Sequence, residues 1–492
     1  MVWNYSKSEA RIRRYMANGP SIEADLGKIQ SYSRQVLSKM ATDAADFPLG
    51  RATLVEGVHL YGLLLDFDEL AQHDRASEVG HARLLQFLDM NYRIWDALVE
   101  EEDAIRVDYH GPRLHAVVTE PAGDAVGQLQ KAIALAVKLD AAAKRAAAHY
   151  GFPARVRFGL DHGFCLAMTT GRSFEKDVLF LGSPANHAAK LVASDRIPGI
   201  FLTDNAKQKL GLQGSSGDLR SASIAALAAQ NFTFNKFEGA IDRMLHEQPR
   251  LATFSFHRGT PPLSNIKFAD LSPANSVRMG MASLFADIDG YTRYVDDAIR
   301  NGQGAIRSAV LAVHVLREEL NSVLKEDFGG KRVRFIGDCI HGLIAAGEKR
   351  DDAGKAVKDA ALCASGMRSS FVLAQKLLGT IDKLDLAVGV EYGEIPLTRV
   401  GYRGNDSVRC AAASAVIRSE QLQQAIAGGG ISLGPVALGL ADDGMQAYFR
   451  NSNKLPSYSD AATHFGAVTS PAVQIMRDDS AARPHSVSAR FA

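Results

Sequence analysis

Residues 106–118 read RVDYHGPRLHAVV, and residues 332–344 read RVRFIGDCIHGLI. Both stretches begin with Arg-Val and then place an aromatic residue, a glycine and a histidine at the same positions. Each predicts a β-hairpin, because a first strand is followed by a tight turn at the glycine and by a returning apolar strand. Two hairpins this similar within one chain indicate an internal repeat.

Three further pairs of segments extend the repeat and keep the same order in both halves of the chain. The pairs are HLYGLLLDFD from His59 with SLFADIDGYT from Ser283, VRFGLDHGFC from Val156 with LAVGVEYGEI from Leu386, and GSPANHAAK from Gly182 with NDSVRCAAA from Asn405. Their offset stays at about 225 residues and drifts by a few, as changes in loop length would cause. The chain is therefore predicted to contain two copies of one domain.

Each copy alternates between apolar strands and helical stretches, in the order strand, helix, hairpin, helix, strand. This order predicts an α+β fold, with helices packed on a mainly antiparallel sheet. In the second copy the helices are expected near residues 293–326 and 351–379.

The length of 492 residues exceeds one ordinary core, which agrees with two domains. Five segments are expected: a helical lead-in over 1–50, a first domain over 51–250, a linker over 251–280, a second domain over 281–450 and an irregular tail over 451–492. The tail is rich in Ser, Pro and Ala, which favours irregular structure.

The composition points to a folded protein without a global charge bias, since the formal net charge is +1. A net charge this small creates no overall electrostatic field that would favour nucleic acid or a membrane surface as a partner. No apolar run approaches the roughly 20 residues that span a bilayer, and the N-terminus lacks a signal core. The four cysteines form no zinc spacing, so reduced thiols and a cytoplasmic location are expected. A basic cluster at Arg11, Arg13 and Arg14 is expected on a solvated helix face.

Two aspartates of the second copy are predicted to lie close together. Asp287 follows an apolar strand and precedes a helix, and Asp338 lies in the hairpin turn beside Gly337. Two close carboxylates repel each other, and a divalent cation removes that cost. Such oxygen ligands suit Mg²⁺ or Mn²⁺, with the backbone carbonyl of Ile288 and triphosphate oxygens completing the shell. Two ions could activate a hydroxyl and hold a leaving pyrophosphate. Ordinary turn aspartates are the alternative.

These motifs resemble the signature segments of class III nucleotidyl cyclases. FADIDGYT and RFIGDC are similar to the family's two metal-binding segments, and GSPANHAAK is similar to the third, which supplies an Asn and, four residues later, an Arg. The resemblance implies conversion of a nucleoside triphosphate to its 3′,5′-cyclic nucleotide and pyrophosphate. It also implies a head-to-tail pair of domains, one supplying the aspartates and the other the base-reading residues and the Asn/Arg pair.

The first copy keeps only part of such a site. It has Leu63 and Pro112 at the aspartate positions, and neither residue can bind a metal ion. It retains Asn186 and, four residues later, Lys190, which a helix would place on one face. The resemblance implies that Asn186 orients the ribose and that Lys190 offsets charge developing on the phosphate. Lysine keeps the positive charge of the family's Arg but not its bidentate contact.

The second copy shows the reverse pattern. It keeps both aspartates, but NDSVRCAAA places Arg409 and Ala413 at the Asn and Arg positions. The complementary losses predict an intramolecular pseudo-heterodimer with one composite active site and one broken site. Two alternatives are a homo-oligomer whose chains complete each other's sites, and a catalytically inactive cyclase pair that senses nucleotides.

Three positions are expected to contact the base. Tyr291 replaces the family's usual Phe, a change that resembles the Pycsar pyrimidine cyclases, bacterial antiphage enzymes that make cyclic CMP or cyclic UMP. Asp108 stands at the family's base-reading Lys, and Leu179 lies near the second base-reading position. A carboxylate accepts from an amine such as cytosine N4, which favours CTP. UTP, GTP and ATP are the alternatives, and Arg334 is expected to face the broken site.

Overall fold

The computed structural model describes most of the chain. The described ranges are residues 2–19, 52–72, 77–170, 177–212, 251–348, 351–401, 407–426 and 428–465. Among them no helix combines the length and apolarity needed to cross a bilayer. All four cysteines are buried free thiols.

The N-terminal half builds a six-stranded sheet with helices packed on it. Its elements are α1 (Tyr5–Ala17), β1 (Ala52–Leu64), α2 (Phe67–Gln72), α3 (Glu78–Glu101), β2 (Ile105–His110), β3 (Arg113–Val118), α4 (Ala125–Tyr150), β4 (Val156–Thr170), β5 (Asp177–Leu181), α5 (Ser183–Ala193), β6 (Gly199–Leu202) and α6 (Asp204–Lys209). The strands run in the order β2-β3-β1-β4-β5 with antiparallel pairing, and β6 adds to β4 in parallel.

The C-terminal half builds a second sheet on the same plan. Its elements are β7 (Phe256–Arg258), β8 (Ser276–Asp289), α7 (Tyr291–Asn301), α8 (Gln303–Ser322), a π-helical segment (Val323–Asp327), β9 (Lys331–Ile336), β10 (Cys339–Ile344), α9 (Ala353–Leu378), β11 (Asp385–Val400), β12 (Val408–Ala411), α10 (Ser414–Gln424), β13 (Gly430–Leu433), α11 (Pro435–Leu440), α12 (Asp443–Asn451) and α13 (Tyr458–His464). The order is β12-β11-β8-β10-β9, with β13 parallel to β11 and β7 parallel to β8. The predicted α+β fold with mainly antiparallel sheets is confirmed.

The repeat is visible in the strand registers and in side-chain packing. Tyr61 of β1 lies opposite His115 of β3, and their rings stack with centroids 4.2 Å apart. Phe285 of β8 lies opposite His341 of β10, and their rings stack at 4.3 Å. The aligned sequence segments therefore occupy equivalent places in the two sheets.

One of the four predicted pairings is out of register. Gly159 of β4 lies against the backbone carbonyl of Ala188 in α5, and Gly389 of β11 lies in the same way against Ser419 in α10. Because a Cβ at either glycine would collide with that carbonyl, the contact fixes each helix on its sheet. Both helices have eleven residues, so α5 is equivalent to α10 and not to the stretch that begins at Asn405.

The corrected register changes which residues of the second copy stand at the family positions. Helix α10 places Ile417 and Gln421 where α5 has Asn186 and Lys190. Arg409, predicted at the Asn position, lies in strand β12, and the predicted Ala413 precedes α10. The alanine runs of the two segments are similar in sequence, but they lie at different places relative to the start of each helix. Neither Ile417 nor Gln421 reproduces the Asn/Arg pair, so this copy still lacks it.

The N-terminal helix is anchored to the second half by buried charge. Arg11 was expected on a solvated face, yet its side chain is only 5% exposed and pairs with Glu319 at 2.7 Å and Asp327 at 2.8 Å. Arg13 remains exposed and, among the residues that the structure describes, pairs with Glu9 of its own helix. The expectation failed for Arg11 because α8 and the π-helical segment present two carboxylates to that face of α1.

The stretches expected to be a linker and an irregular tail contain ordered elements. Strand β7 and the first residues of β8 lie within 251–280 and join the second sheet. In the tail, the helix α13 contradicts the expected irregular structure. The backbone N–H of its first residue, Tyr458, donates to Ser369 Oγ at 2.9 Å. The ring of Tyr458 packs on Trp3 at 5.8 Å, so burial of two aromatic rings holds the helix in place.

Candidate active site

The two predicted metal aspartates lie at neighbouring positions of adjacent strands. Asp287 is near the end of β8, and Asp338 lies in the turn between β9 and β10. Ala286 pairs with Ile340, so the register brings Asp287 beside the start of β10. Gly337 supplies the left-handed turn, with φ of +60°, that presents Asp338.

The electrostatics of this pair fit a divalent cation. Burial, followed by the charge of Asp289, raises the pKa of Asp287 to about 6. Burial and then the charge of Asp287 raise the pKa of Asp338 well above its ordinary value. Both charged forms are therefore disfavoured without a compensating cation, and hard carboxylate oxygens suit Mg²⁺ or Mn²⁺. The donor set fits such an ion.

The protein supplies few other ligands at this point. No group of three or more His, Cys, Asp or Glu side chains is arranged for a metal within the described ranges. Gln423 donates from Nε2 to Asp287 Oδ2 at 3.2 Å and so orients that carboxylate. Ile288, with its side chain buried, directly follows Asp287 in β8, and its carbonyl as a ligand stays a prediction.

A helix of the first half reaches the helix that follows Asp287. Asn186 of α5 donates from Nδ2 to the hydroxyl of Thr292, in the first turn of α7. The backbone N–H of Ser183, at the start of α5, donates to Asp296 Oδ1 at 2.8 Å. The chain therefore brings Asn186 from one half next to the carboxylate-bearing region of the other half.

Lys190 lies one helical turn beyond Asn186 on the same face of α5. Its side chain is exposed, and within the described residues no hydrogen bond or ion pair holds it. An exposed ammonium on this face is available to an anionic group at the boundary between the halves.

Tyr291, the first residue of α7, is 3% exposed. Its hydroxyl is buried and makes no hydrogen bond to any residue that the structure describes. Burial and then the charge of Asp338 raise its pKa well above the ordinary tyrosine value, so the hydroxyl stays protonated. A buried hydroxyl beside the carboxylates without a partner suits a ligand that accepts a hydrogen bond.

The other two predicted base contacts have different environments. Asp108 Oδ1 accepts a hydrogen bond from Arg334 Nη1 at 2.8 Å, across the two halves. Asp108 is therefore already bound to a cation, which the sequence did not predict. Leu179 is 3% exposed in β5 and packs in an apolar cluster with residues of the second half.

A cleft whose lining includes Pro112, Arg334 and Glu420 lies at the position expected for the broken site. Glu420 of α10 binds Arg113, and His110 Nε2 lies 3.4 Å from its carboxylate. Burial alone would raise the pKa of Glu420, but the positive charge of Arg113 and contacts with His110 hold it well below its usual range. An ion pair between the halves thus stands where the first copy lost its aspartates.

Several of these contacts could not be found from the sequence. Thr292 is the last residue of FADIDGYT but was expected to have no role, Asp296 lies beyond that motif in α7, and Glu420 lies outside every aligned segment. The glycine turns and the helix start at Ser183 carried the available signals, because they fix backbone geometry.

Comparison with known proteins gives close relatives along almost the whole chain. A uridylate cyclase of a Rhizobium species is 41% identical over 489 residues, covering 91% of this chain and 92% of that protein. A uridylate cyclase of Pseudomonas aeruginosa is 36% identical over 472 residues, covering 92% of this chain and 88% of that protein. No protein-family model matches the chain.

A solved structure shows the same architecture. The crystal structure of a class III adenylyl cyclase-like ATP-binding protein from Pseudomonas aeruginosa matches with a TM-score of 0.83 and 34% identity. The match covers 94% of this chain and 100% of that one. Taken with the whole-length relatives, this match shows that the chain belongs to the class III nucleotidyl cyclase family, within its Pycsar pyrimidine cyclases.

Proposed function

We propose that this protein is a pyrimidine nucleotide cyclase that converts UTP to cyclic UMP and pyrophosphate at one composite site. The observation that carries the proposal is the contact of Asn186 with Thr292, because it joins the retained Asn of the first copy to the helix behind the aspartates of the second. The curated relatives named uridylate cyclase support the reaction class and favour uracil as the base.

The expected preference for CTP depended on an Asp108 carboxylate without a partner in the protein. Arg334 donates to Asp108, so the carboxylate does not require an exocyclic amine to balance it. Because Arg334 balances the charge of Asp108, O4 of uracil, which is an acceptor, would not face an unpaired carboxylate. The pair therefore removes the reason to reject uracil.

The proposed reaction forms one bond and breaks one. The ribose 3′-hydroxyl attacks the α-phosphorus in line and gives its proton to the Asp287 carboxylate. The bond to the bridging oxygen of the β-phosphate breaks, and pyrophosphate leaves with that electron pair. Divalent cations held by Asp287 and Asp338 would neutralise the triphosphate. Asn186 orients the ribose, and Lys190 offsets the charge that develops on the transferred phosphate.

Tyr291 and Leu179 are proposed to line the base pocket. The buried hydroxyl of Tyr291 offers a donor to an acceptor on the nucleotide. On the Pycsar resemblance alone, we also propose that the cyclic product is a second messenger in antiphage defence.

The reaction is tested by incubating the purified full chain with UTP, CTP, GTP and ATP in turn, with Mn²⁺. Release of pyrophosphate and the cyclic product are measured together, and an Asp287→Asn, Asp338→Asn double variant is the control. We expect UTP to be the best substrate and the control to be inactive. A faster reaction with CTP would contradict the base assignment, and no product from any triphosphate would favour a nucleotide-sensing role.

A further inference from the structure

The internal repeat places the same contact behind the hairpin turn of each half. In the first half, Tyr92 of α3 stacks on Tyr109 of β2 with ring centroids 3.9 Å apart. Its hydroxyl donates to the backbone carbonyl of Gly111 in the turn at 2.5 Å. The turn is thus tied to the helix by a neutral side chain.

In the second half, a charged side chain makes the equivalent contact. The guanidinium of Arg317 in α8 lies 3.9 Å from the ring centroid of Phe335 in β9. It donates to the backbone carbonyl of Gly337 at 3.3 Å. Phe335 and Gly337 are the repeat equivalents of the strand aromatic and turn glycine of the first half. Arg317 is 1% exposed, so a full positive charge is buried there.

The residue after the turn glycine explains the difference. The first half has Pro112, which carries no charge, whereas the second half has Asp338. The guanidinium of Arg317 is held at the carbonyl of Gly337, the residue directly before Asp338. A buried cation is costly unless negative charge balances it, and two buried carboxylates have the same need. The position behind the turn is an arginine, Arg317, in the half that keeps the aspartates and a neutral residue, Tyr92, in the other half.

An arginine that is present in both halves serves as an internal control. Arg332 lies 4.5 Å from the Phe335 ring, and its equivalent, Arg106, lies 5.8 Å from the Tyr109 ring. This arginine is present in both halves, with or without aspartates. The presence of this arginine therefore does not depend on the aspartates, whereas Arg317 occurs in the half that has them.

We infer that Arg317 is a positioning residue that acts as the resident countercharge at the turn that presents Asp338. It holds the turn that presents Asp338 and offsets the carboxylates until a divalent cation arrives. The positive charge of Arg317 also weakens binding of a divalent metal ion in the absence of nucleotide. The metal ion and the triphosphate therefore bind together. This inference rests on the metal site of the proposed function.

The first test measures Mn²⁺ binding without nucleotide, from the paramagnetic resonance signal of free Mn²⁺ in the presence of the full chain. Arg317→Tyr copies the neutral contact of the first half and removes only the charge. We expect it to bind Mn²⁺ roughly fivefold more tightly or better, because a neighbouring unit charge interacts strongly with a divalent ion. Arg317→Lys and Arg332→Met should bind like the unaltered protein. Equal or weaker binding by Arg317→Tyr would overturn the inference.

The second test needs neither metal nor activity, so it stands even if the proposed metal site fails. Thermal unfolding is measured in chelator for Arg317→Tyr, Asp338→Asn and the double variant. We expect the loss of stability caused by Arg317→Tyr to be much smaller when Asp338 is already Asn. If Arg317→Tyr fails to fold alone, a folded double variant supports the inference. Additive losses, or a double variant that also fails to fold, would contradict it.

Discussion

Single residues explain why the proposed metal site is costly to build without its ion. Asp287 and Asp338 are both buried, and their charged forms are disfavoured by burial and by neighbouring carboxylates. The sequence was sufficient to select both residues, because each stands beside a strand end or glycine turn. It could not reveal Arg317, since a helix arginine carries no signal until its place behind the turn is known.

The raised pKa of Asp287 predicts a pH dependence of stability in the metal-free protein. Its carboxyl has a pKa of about 6 when folded, above the ordinary value of 3.8. Between these values the folded state binds more protons than the unfolded state, so stability falls as the pH rises. The loss of folding stability that Asp287 causes over this pH range reaches about 3 kcal/mol. Denaturant unfolding at pH 4.5 and 7 should show a smaller fall in Asp287→Asn, and an equal fall would count against this.

Lys190 is expected to act on the developing charge rather than on binding of the ground state. Lys190→Ala should lower kcat about 100-fold with a smaller change in KM, while Lys190→Arg should retain most activity. Initial rates with UTP measure both constants. The exposed Lys209→Ala is the matched control. Loss of activity in Lys190→Arg would show that charge is not the property that matters.

At the scale of elements, the packing of α5 against α7 is proposed to decide whether Asn186 reaches the proposed active site. Most strands and helices of the repeat were predictable from the sequence, because apolar periodicity and turn glycines fix them. The register of α10 was not, since it depends on the close approach of Gly389 to the backbone of Ser419. That approach is a tertiary contact, which no local sequence pattern reports.

Asp296 should be important for this seating, because it receives both the N–H and the hydroxyl of Ser183. Asp296→Ala should lower kcat about tenfold, since a small misplacement of a catalytic helix is costly. The neighbouring Asp297→Ala is the control, because the side chain of Asp297 is 54% exposed and its ion pair is with Arg300 of the same helix. Equal rates for the two variants with UTP would show that the contact does not position α5.

At the scale of the whole molecule, we propose that the two halves divide the work of one site. The sequence alone predicted this division from the complementary losses in the two copies. It did not predict the ion pair at the broken site, because Arg113 and Glu420 lie in segments that only the folded chain brings together. That pair joins the two halves on the side where the first copy has Leu63 and Pro112 at the aspartate positions.

Breaking this ion pair should loosen the two halves. Glu420→Gln leaves the largely buried Arg113 without its countercharge, and the free energy of unfolding should fall by about 3 kcal/mol. Glu9→Gln removes an exposed pair within one helix and should cost no more than about 0.5 kcal/mol. Chemical denaturation measures both variants. Equal losses would show that the Glu420 pair contributes no more than a surface contact.

The composite site within one chain is tested most directly by mixing two inactive variants. Asp338→Asn lacks the aspartate half, and Asn186→Ala lacks the other half, so each chain alone should make almost no cyclic UMP. Because both halves of the working site come from the same chain, the mixture should stay as inactive as its components. Activity restored on mixing would show that different chains complete the site and would contradict the intramolecular arrangement.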